Sequence, residues 1–181
     1  MQDRHISNVV FVHFLQALRN PELRRLGSLS DESGSPGKEI VQVGILVKDV
    51  AEAAKKLEKL IGIGPFEILE PEYRDLTYRH KTGKFKIRIA LAKAGPIQIE
   101  LMQPLHGETI YDEFAQRKGH GLHHLGIKTD NIEQSVKEMQ EKGFQVIQSG
   151  NRPGVKWSYL STEDQTDVIF ELLEKKQTSS S

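Results

Sequence analysis

Four polar side chains, Gln42, Glu100, His124 and Glu171, interrupt runs that otherwise read as buried strand. Gln42 lies in Ile40-Val41-Gln42-Val43-Gly44-Ile45-Leu46-Val47, and His124 in Gly121-Leu122-His123-His124-Leu125-Gly126-Ile127-Lys128. Glu100 lies in Ile97-Gln98-Ile99-Glu100-Leu101-Met102, and Glu171 in Val168-Ile169-Phe170-Glu171-Leu172-Leu173. Two carboxylates, one imidazole and one amide oxygen form an oxygen-rich donor set suited to one divalent metal ion: Zn, Ni, Co, Mn or Mg. Bound there, such an ion polarises a carbonyl as a Lewis acid. A loosely held carboxylate beside it can move a proton at the adjacent carbon. The residue types therefore point to proton abstraction next to a carbonyl. Oxygen activation favours two His and one carboxylate, and this set holds one His.

A single Glu in a strand is ordinarily a residue on a solvated face. The weight here comes from repetition. The openers containing Gln42 and His124 are offset by 82 residues, and the closers containing Glu100 and Glu171 by 71. The second copy is thus 11 residues shorter between opener and closer, as a shorter strand-turn-strand arm would make it. Offsets this orderly mark a duplication.

The elements that must position the set follow from periodicity. Val41, Val43, Ile45 and Val47 alternate with Gln42, Gly44 and Leu46, as in a strand with one face against helices. Asp49 caps a helix over 50–61, which Gly62 and Gly64-Pro65 stop. Strands follow at 66–69, 84–92 and 97–102, separated by Pro71, Thr82-Gly83 and Ala94-Gly95-Pro96. The second copy reads the same way. A strand at 123–128 leads to a helix capped by Asn131 that runs through Glu141 to Gly143, and strands follow at 144–148, 156–161 and 167–173. The expected fold class is α+β, two βαβββ modules over 39–109 and 119–174. Residues 1–38 form an extension: a short amphipathic helix around Val10, Phe14, Leu15 and Leu18, then a Ser- and Gly-rich linker. Residues 175–181 read as a flexible tail.

Parity assigns neighbours to the set. Leu46 shares a face with Gln42, and Met102 with Glu100, so both are expected to contact the substrate. Lys86 and Arg88 on the first arm are candidates for an anionic substrate tail, against the plainer reading of a solvated strand edge. His123 is expected on the face opposite His124, as a packed structural residue. His80 and Lys81 read as exposed turn residues.

Composition excludes several classes. Formal net charge is zero, so a nucleic-acid footprint is not expected. No cysteine is present, which rules out disulfides and thiolate ligation and permits a reducing compartment. The longest apolar run, Val9 to Leu15, is too short for a bilayer span of ~20 residues. The expected location is the cytoplasm, or the mitochondrial matrix if Arg4, Arg19, Arg24 and Arg25 belong to a transit segment.

At these residues, over about 39–174, the chain resembles the vicinal oxygen chelate superfamily. Glu100-Leu101-Met102-Gln103-Pro104-Leu105 followed by Gly119-His120-Gly121-Leu122-His123-His124-Leu125 is similar to the methylmalonyl-CoA epimerase pattern. The resemblance implies a cupped eight-stranded mixed sheet, with a metal held by Gln42, Glu100, His124 and Glu171. It also implies Glu171 as base, a small-molecule carbonyl or acyl-CoA-type substrate, and a homodimer. Those epimerases usually carry His at the place of Gln42 and Gln at the place of Glu100. They also have a first-arm glutamate where this chain reads His80-Lys81-Thr82-Gly83-Lys84. The Gln-Glu-His-Glu set is similar instead to some glyoxalase I lyases, which carry Arg where this chain has Leu46 and Asn where it has Pro104. The expected activity is a metal-dependent isomerase or epimerase. The alternatives are a glyoxalase I-like lyase and a non-catalytic small-molecule binder.

Overall fold

The computed structural model describes residues 38–176. The expected N-terminal helix and most of its linker lie outside the described residues, as does the tail beyond 176. Among the described residues no helix is long and apolar enough to cross a membrane.

Each module begins with a strand that feeds a capped helix. Strand β1 (Ile40–Leu46) leads to helix α1 (Val50–Ile61). Asp49 accepts a hydrogen bond from the Glu52 backbone N–H at 2.8 Å, satisfying one of the free donors of the first turn. Gly62 ends the helix at φ 79°, a left-handed conformation that glycine takes without a Cβ penalty. Strands β2 (Glu67–Leu69) and β3 (Glu72–Tyr78) both pair with β4 (Lys81–Ala94), which turns into β5 (Ile97–His106). Helix α2 (Ile110–Lys118) joins the modules. The second runs β6 (Gly121–Lys128), α3 (Ile132–Glu141), β7 (Val146–Arg152), β8 (Val155–Leu160), a short α4 (Glu163–Thr166) and β9 (Ile169–Lys175).

Several strands differ from expectation: β4 begins at Lys81 and not at 84, β5 runs on to His106 and not to 102, and β7 spans Val146–Arg152 and not 144–148. The first arm contains a strand, β3, not expected from its composition. Glu72, Arg74 and Asp75 obscure its alternation, and only Leu76 within it is fully buried. Pro71, lacking an N–H, separates β2 from β3, so the two are halves of one interrupted strand along β4. Strand β9 continues to Lys175, where Val155 pairs with it, so the expected tail begins one residue later.

The strands form a mixed sheet. β1 runs parallel to β5 and β6 parallel to β9, while the other pairings are antiparallel. Following neighbours gives β4-β3-β7-β8-β9-β6-β1-β5, and β5 pairs back onto β4. Eight strands thus close a barrel-like cup, with β2 as a short ninth on β4. The modules meet at two seams, β1 with β6 and β3 with β7. Inside, Leu46, Phe85, Ile87, Ile89, Met102, Tyr111, Trp157 and Tyr159 belong to one buried cluster. Outside, α1 buries Val50 and Ala54 with Ala90 and Leu101, and α3 buries Ile132 with Leu160 and Leu172. Both halves thus cover the outer sheet face with a helix and leave the inner face for a site.

Candidate functional site

The four candidate residues lie on four consecutive strands, β5, β1, β6 and β9. Register sets their heights. Gly44 is paired with Glu100 on one side and His124 on the other, and Gly126 is paired with Gln42 on one side and Glu171 on the other. The two glycines occupy equivalent places in the repeat, two residues after Gln42 and His124. A Cβ at Gly44 would fall 2.0 Å from the His124 ring. One at Gly126 would fall 2.8 Å from the Gln42 Cβ and 3.3 Å from a Glu171 carboxylate oxygen. Glycine at both positions makes the room into which the side chains turn.

His124 Nε2 is the hub. It lies 3.4 Å from Gln42 Oε1, 3.4 Å from Glu171 Oε2 and 3.7 Å from Glu100 Oε2. Gln42, His124 and Glu171 are buried, and Glu100 is nearly so. The structure therefore brings together all four expected donors.

His123 departs from expectation. Between Gly44 and Ile45 the β1–β6 register shifts, and His123 is the extra residue of a bulge. The bulge cancels the alternation, and His123 does not face away from His124. Its Nδ1 lies 3.0 Å from His124 Nδ1, and its ring packs among Tyr111, Phe114 and Tyr159. Burial holds His123 well below the usual histidine range, with His124 and Arg117 adding to the effect, so it stays neutral. When His124 donates from Nδ1 to a neutral His123, its Nε2 is the ring nitrogen left to face the three oxygens, as an N–H while His124 is protonated and as a lone pair once it is not.

Electrostatics at the hub are opposed. Burial pushes Glu100 up to about 7; His124 counters this and Glu171 reinforces it. Burial alone would lower His124, but Glu171 and Glu100 together outweigh it and hold it raised. One Glu171 oxygen, Oε2, is buried with no hydrogen-bond partner. A carboxylate oxygen left so is costly unless something positive sits beside it.

These observations fit a divalent cation. Among the described residues His, Asp and Glu alone form no group of three that could hold an ion; the Gln42 amide oxygen lies 3.4 Å from His124 Nε2 as a further oxygen donor. Ligands ~2.0–2.2 Å from one ion stand roughly 3–3.5 Å from each other, close to the spacings found around His124 Nε2. The orphaned Glu171 oxygen is the donor most in need of a cation.

The site opens into a cavity of about 520 Å³, open-mouth space included. Its wall includes Tyr73, Phe85, Tyr111, Trp157 and Tyr159, and its polar residues include Gln42, Gln98, Glu100, Arg152, Glu171 and Lys175. The expected substrate contacts lie elsewhere. Leu46 and Met102 do share the inner face, but they are sealed in the core at 0 % and 1 % exposure and do not line the cavity. Lys86 and Arg88 alternate with the inward Phe85, Ile87 and Ile89, so they point outward and pair with Glu70. The cations that do line the cavity, Arg152 and Lys175, come from the ends of β7 and β9. No spacing rule singles them out; the parity of Lys86 and Arg88, however, was readable. His80 and Lys81 do not line the cavity.

A family model described as the Glyoxalase/Bleomycin resistance protein/Dioxygenase superfamily matches residues 41–160. The uncharacterized protein YqjC of Bacillus subtilis (strain 168) is 23 % identical over 137 residues, spanning 74 % of this chain and 90 % of the relative. A hypothetical protein from Bacillus halodurans C-125 superposes with a TM-score of 0.61 at 22 % identity, covering 81 % of this chain and all of the other. A methylmalonyl-CoA epimerase in complex with methylmalonyl-CoA and NH4+ superposes with a TM-score of 0.63 at 18 % identity, covering 80 % of this chain and 99 % of the other. The Mycobacterium tuberculosis methylmalonyl-CoA epimerase gives a TM-score of 0.59 at 19 % identity, covering 76 % and 88 %. These structural likenesses carry the fold. The chain belongs to the glyoxalase/bleomycin resistance protein/dioxygenase superfamily.

Proposed function

We propose that this superfamily member is a metal-dependent isomerase or epimerase that moves a proton next to a carbonyl, on an acyl-CoA-type substrate. The observation that carries the reading is the unpartnered Glu171 oxygen, 3.4 Å from His124 Nε2 and facing a cavity lined by a second carboxylate. Structural neighbours whose titles name methylmalonyl-CoA epimerases support it.

In this reading Gln42, Glu100, His124 and Glu171 hold one divalent ion: Zn, Ni, Co, Mn or Mg. When bound, the ion supplies Lewis-acid stabilisation of charge developing on the substrate carbonyl oxygen. Glu171 is the base. It takes the proton from the carbon beside the carbonyl and can return it to either face if the substrate reorients. Tyr73, Tyr111 and Tyr159 exclude water from that carbon. Their hydroxyls are poor proton donors here, since burial pushes Tyr73 up to about 12 and the other two well above their usual value. Arg152 and Lys175 supply the positive charge that an anionic substrate needs. The first-arm turn at His80 and Lys81 is away from the cavity and supplies no second base, and this reading assigns the proton transfer to Glu171 alone. The reading extends to a homodimer in the cytoplasm or the mitochondrial matrix.

The test is solvent-deuterium exchange at the α-carbon of 2-methyl-branched acyl-CoA thioesters, using protein loaded with Co²⁺ or Mn²⁺. Exchange dependent on the metal and on Glu171 is the expected result. Isomerisation of a hemithioacetal in its place would favour the lyase, and ligand uptake without exchange would favour the binder. The lyase has less support, because Leu46, at the place of that family's Arg, is sealed in the core.

A further inference from the structure

The ligand set leaves one question open at every amide: which end points at the ion. Gln42 is useful as a metal ligand only if its oxygen faces inward. A chain of hydrogen bonds decides it. Lys175 Nζ lies 2.8 Å from one terminal atom of Gln98, and an ammonium can only donate, so that atom is the Gln98 oxygen. The same oxygen lies 2.9 Å from a terminal atom of Gln42, which must therefore be the Gln42 NH2 group. What remains of Gln42, its oxygen, is then the atom 3.4 Å from His124 Nε2. Register allows this because Gln42 and Gln98 are direct partners across the parallel β1–β5 pairing.

We propose that Gln98 and Lys175 are positioning residues that lock the Gln42 amide with its oxygen toward the ion. The inference rests on the reading of Gln42 as a metal ligand. Each link is one-directional. The lysine fixes the orientation of Gln98, and Gln98 fixes that of Gln42. Without the lysine, Gln98 can turn its own NH2 toward Gln42. Gln42 then turns its oxygen outward to accept it and presents two N–H donors to a site that needs a lone pair. Lys175 thereby has a role distinct from its charge, though it stands at the mouth where substrate would enter.

The experiment is a direct Co²⁺ titration of the full chain, read by the visible absorption of the bound ion and independent of turnover. Gln98→Leu removes the acceptor and should raise the Co²⁺ dissociation constant ~10–100-fold, the usual loss when a ligand's supporting partner is deleted. Gln98→Glu accepts from both neighbours and should bind within ~3-fold of the parent, because a carboxylate has no donor to misplace. Lys175→Met should weaken binding ~3–10-fold, and Lys175→Arg should restore it. Should Gln98→Leu fold poorly, the exposed Lys175 pair decides. Equal losses in Gln98→Leu and Gln98→Glu, or parental affinity in Lys175→Met, would overturn the proposal. A parent protein that takes up no Co²⁺ would overturn the metal reading and this inference together.

Discussion

Gly44 and His124 are partners across the β1–β6 pairing, and a methyl group on Gly44 would overlap the imidazole at 2.0 Å. The ring has nowhere to retreat, since Tyr159 lies 5.0 Å from its centroid and His123 5.3 Å on another side. Gly44→Ala should therefore cost about 1–3 kcal/mol, as overpacking of a filled core does, and should also displace the hub of the proposed ligand set. Urea unfolding and Co²⁺ titration measure the two effects. A variant that keeps both parental values would mean that the ring is not confined as described.

Under the proposed reading, Glu171→Gln keeps the shape and one oxygen but loses the base. The expected result is a fall of ~10²–10⁴-fold in α-carbon deuterium exchange. Thermal unfolding without metal should be nearly unchanged, because relief of the unpartnered carboxylate oxygen is opposed by loss of the pairing that holds His124 raised. Exchange at the parental rate would place the base elsewhere.

The site also sets the response of the metal-free protein to pH. Glu100 moves from 4.5 in the unfolded chain to about 7 when folded, so between those values the folded state holds the extra proton. Stability from this group therefore falls as pH rises through that window. His124 is raised above 6.5, so its contribution is full below that value and is lost as pH rises through the higher folded value. The metal-free protein should melt a few degrees higher at about pH 5.5 than at about pH 8 as far as these groups decide it. A divalent ion reverses the trend, because it needs both groups deprotonated. The stabilisation given by Mn²⁺ or Co²⁺ should be larger at the higher pH. Melting curves with and without chelator check both signs.

Arg152 is half-buried on the cavity wall and close enough to lower the carboxylate of Glu100. Arg152→Met should raise KM for an anionic substrate ~10–100-fold, the worth of one hydrogen bond to a charged group, and leave kcat within a few-fold. An uncharged analogue should show no such difference. Steady-state kinetics on the two substrates distinguish recognition from a general disturbance of the wall.

Much of this site is legible in the chain because duplication amplifies it. Gln42 and His124, or Glu100 and Glu171, say little singly; at matching offsets they point to one place, and the structure gathers them. The small residues that make the gathering possible follow the same rule. Gly44 and Gly126 each stand two places after a donor, a regularity visible in the openers themselves. What alternation cannot show is its own interruption. The bulge at His123 moves that ring to the inner face, and a period of two has no means of announcing an extra residue. Strand β3 is hidden by its charges, and Arg152 and Lys175 matter only through where the ring of strands places their tips.

The four donors all come from one polypeptide, two from each half. Had the halves remained separate molecules associating about a two-fold axis, equivalent positions would necessarily hold identical residues, and each amide would face a second amide. Covalent fusion lifted that constraint. One position can now carry a group that never titrates in water, Gln42, while its counterpart carries one that does, His124, so a lineage can adjust the two ends of the site independently.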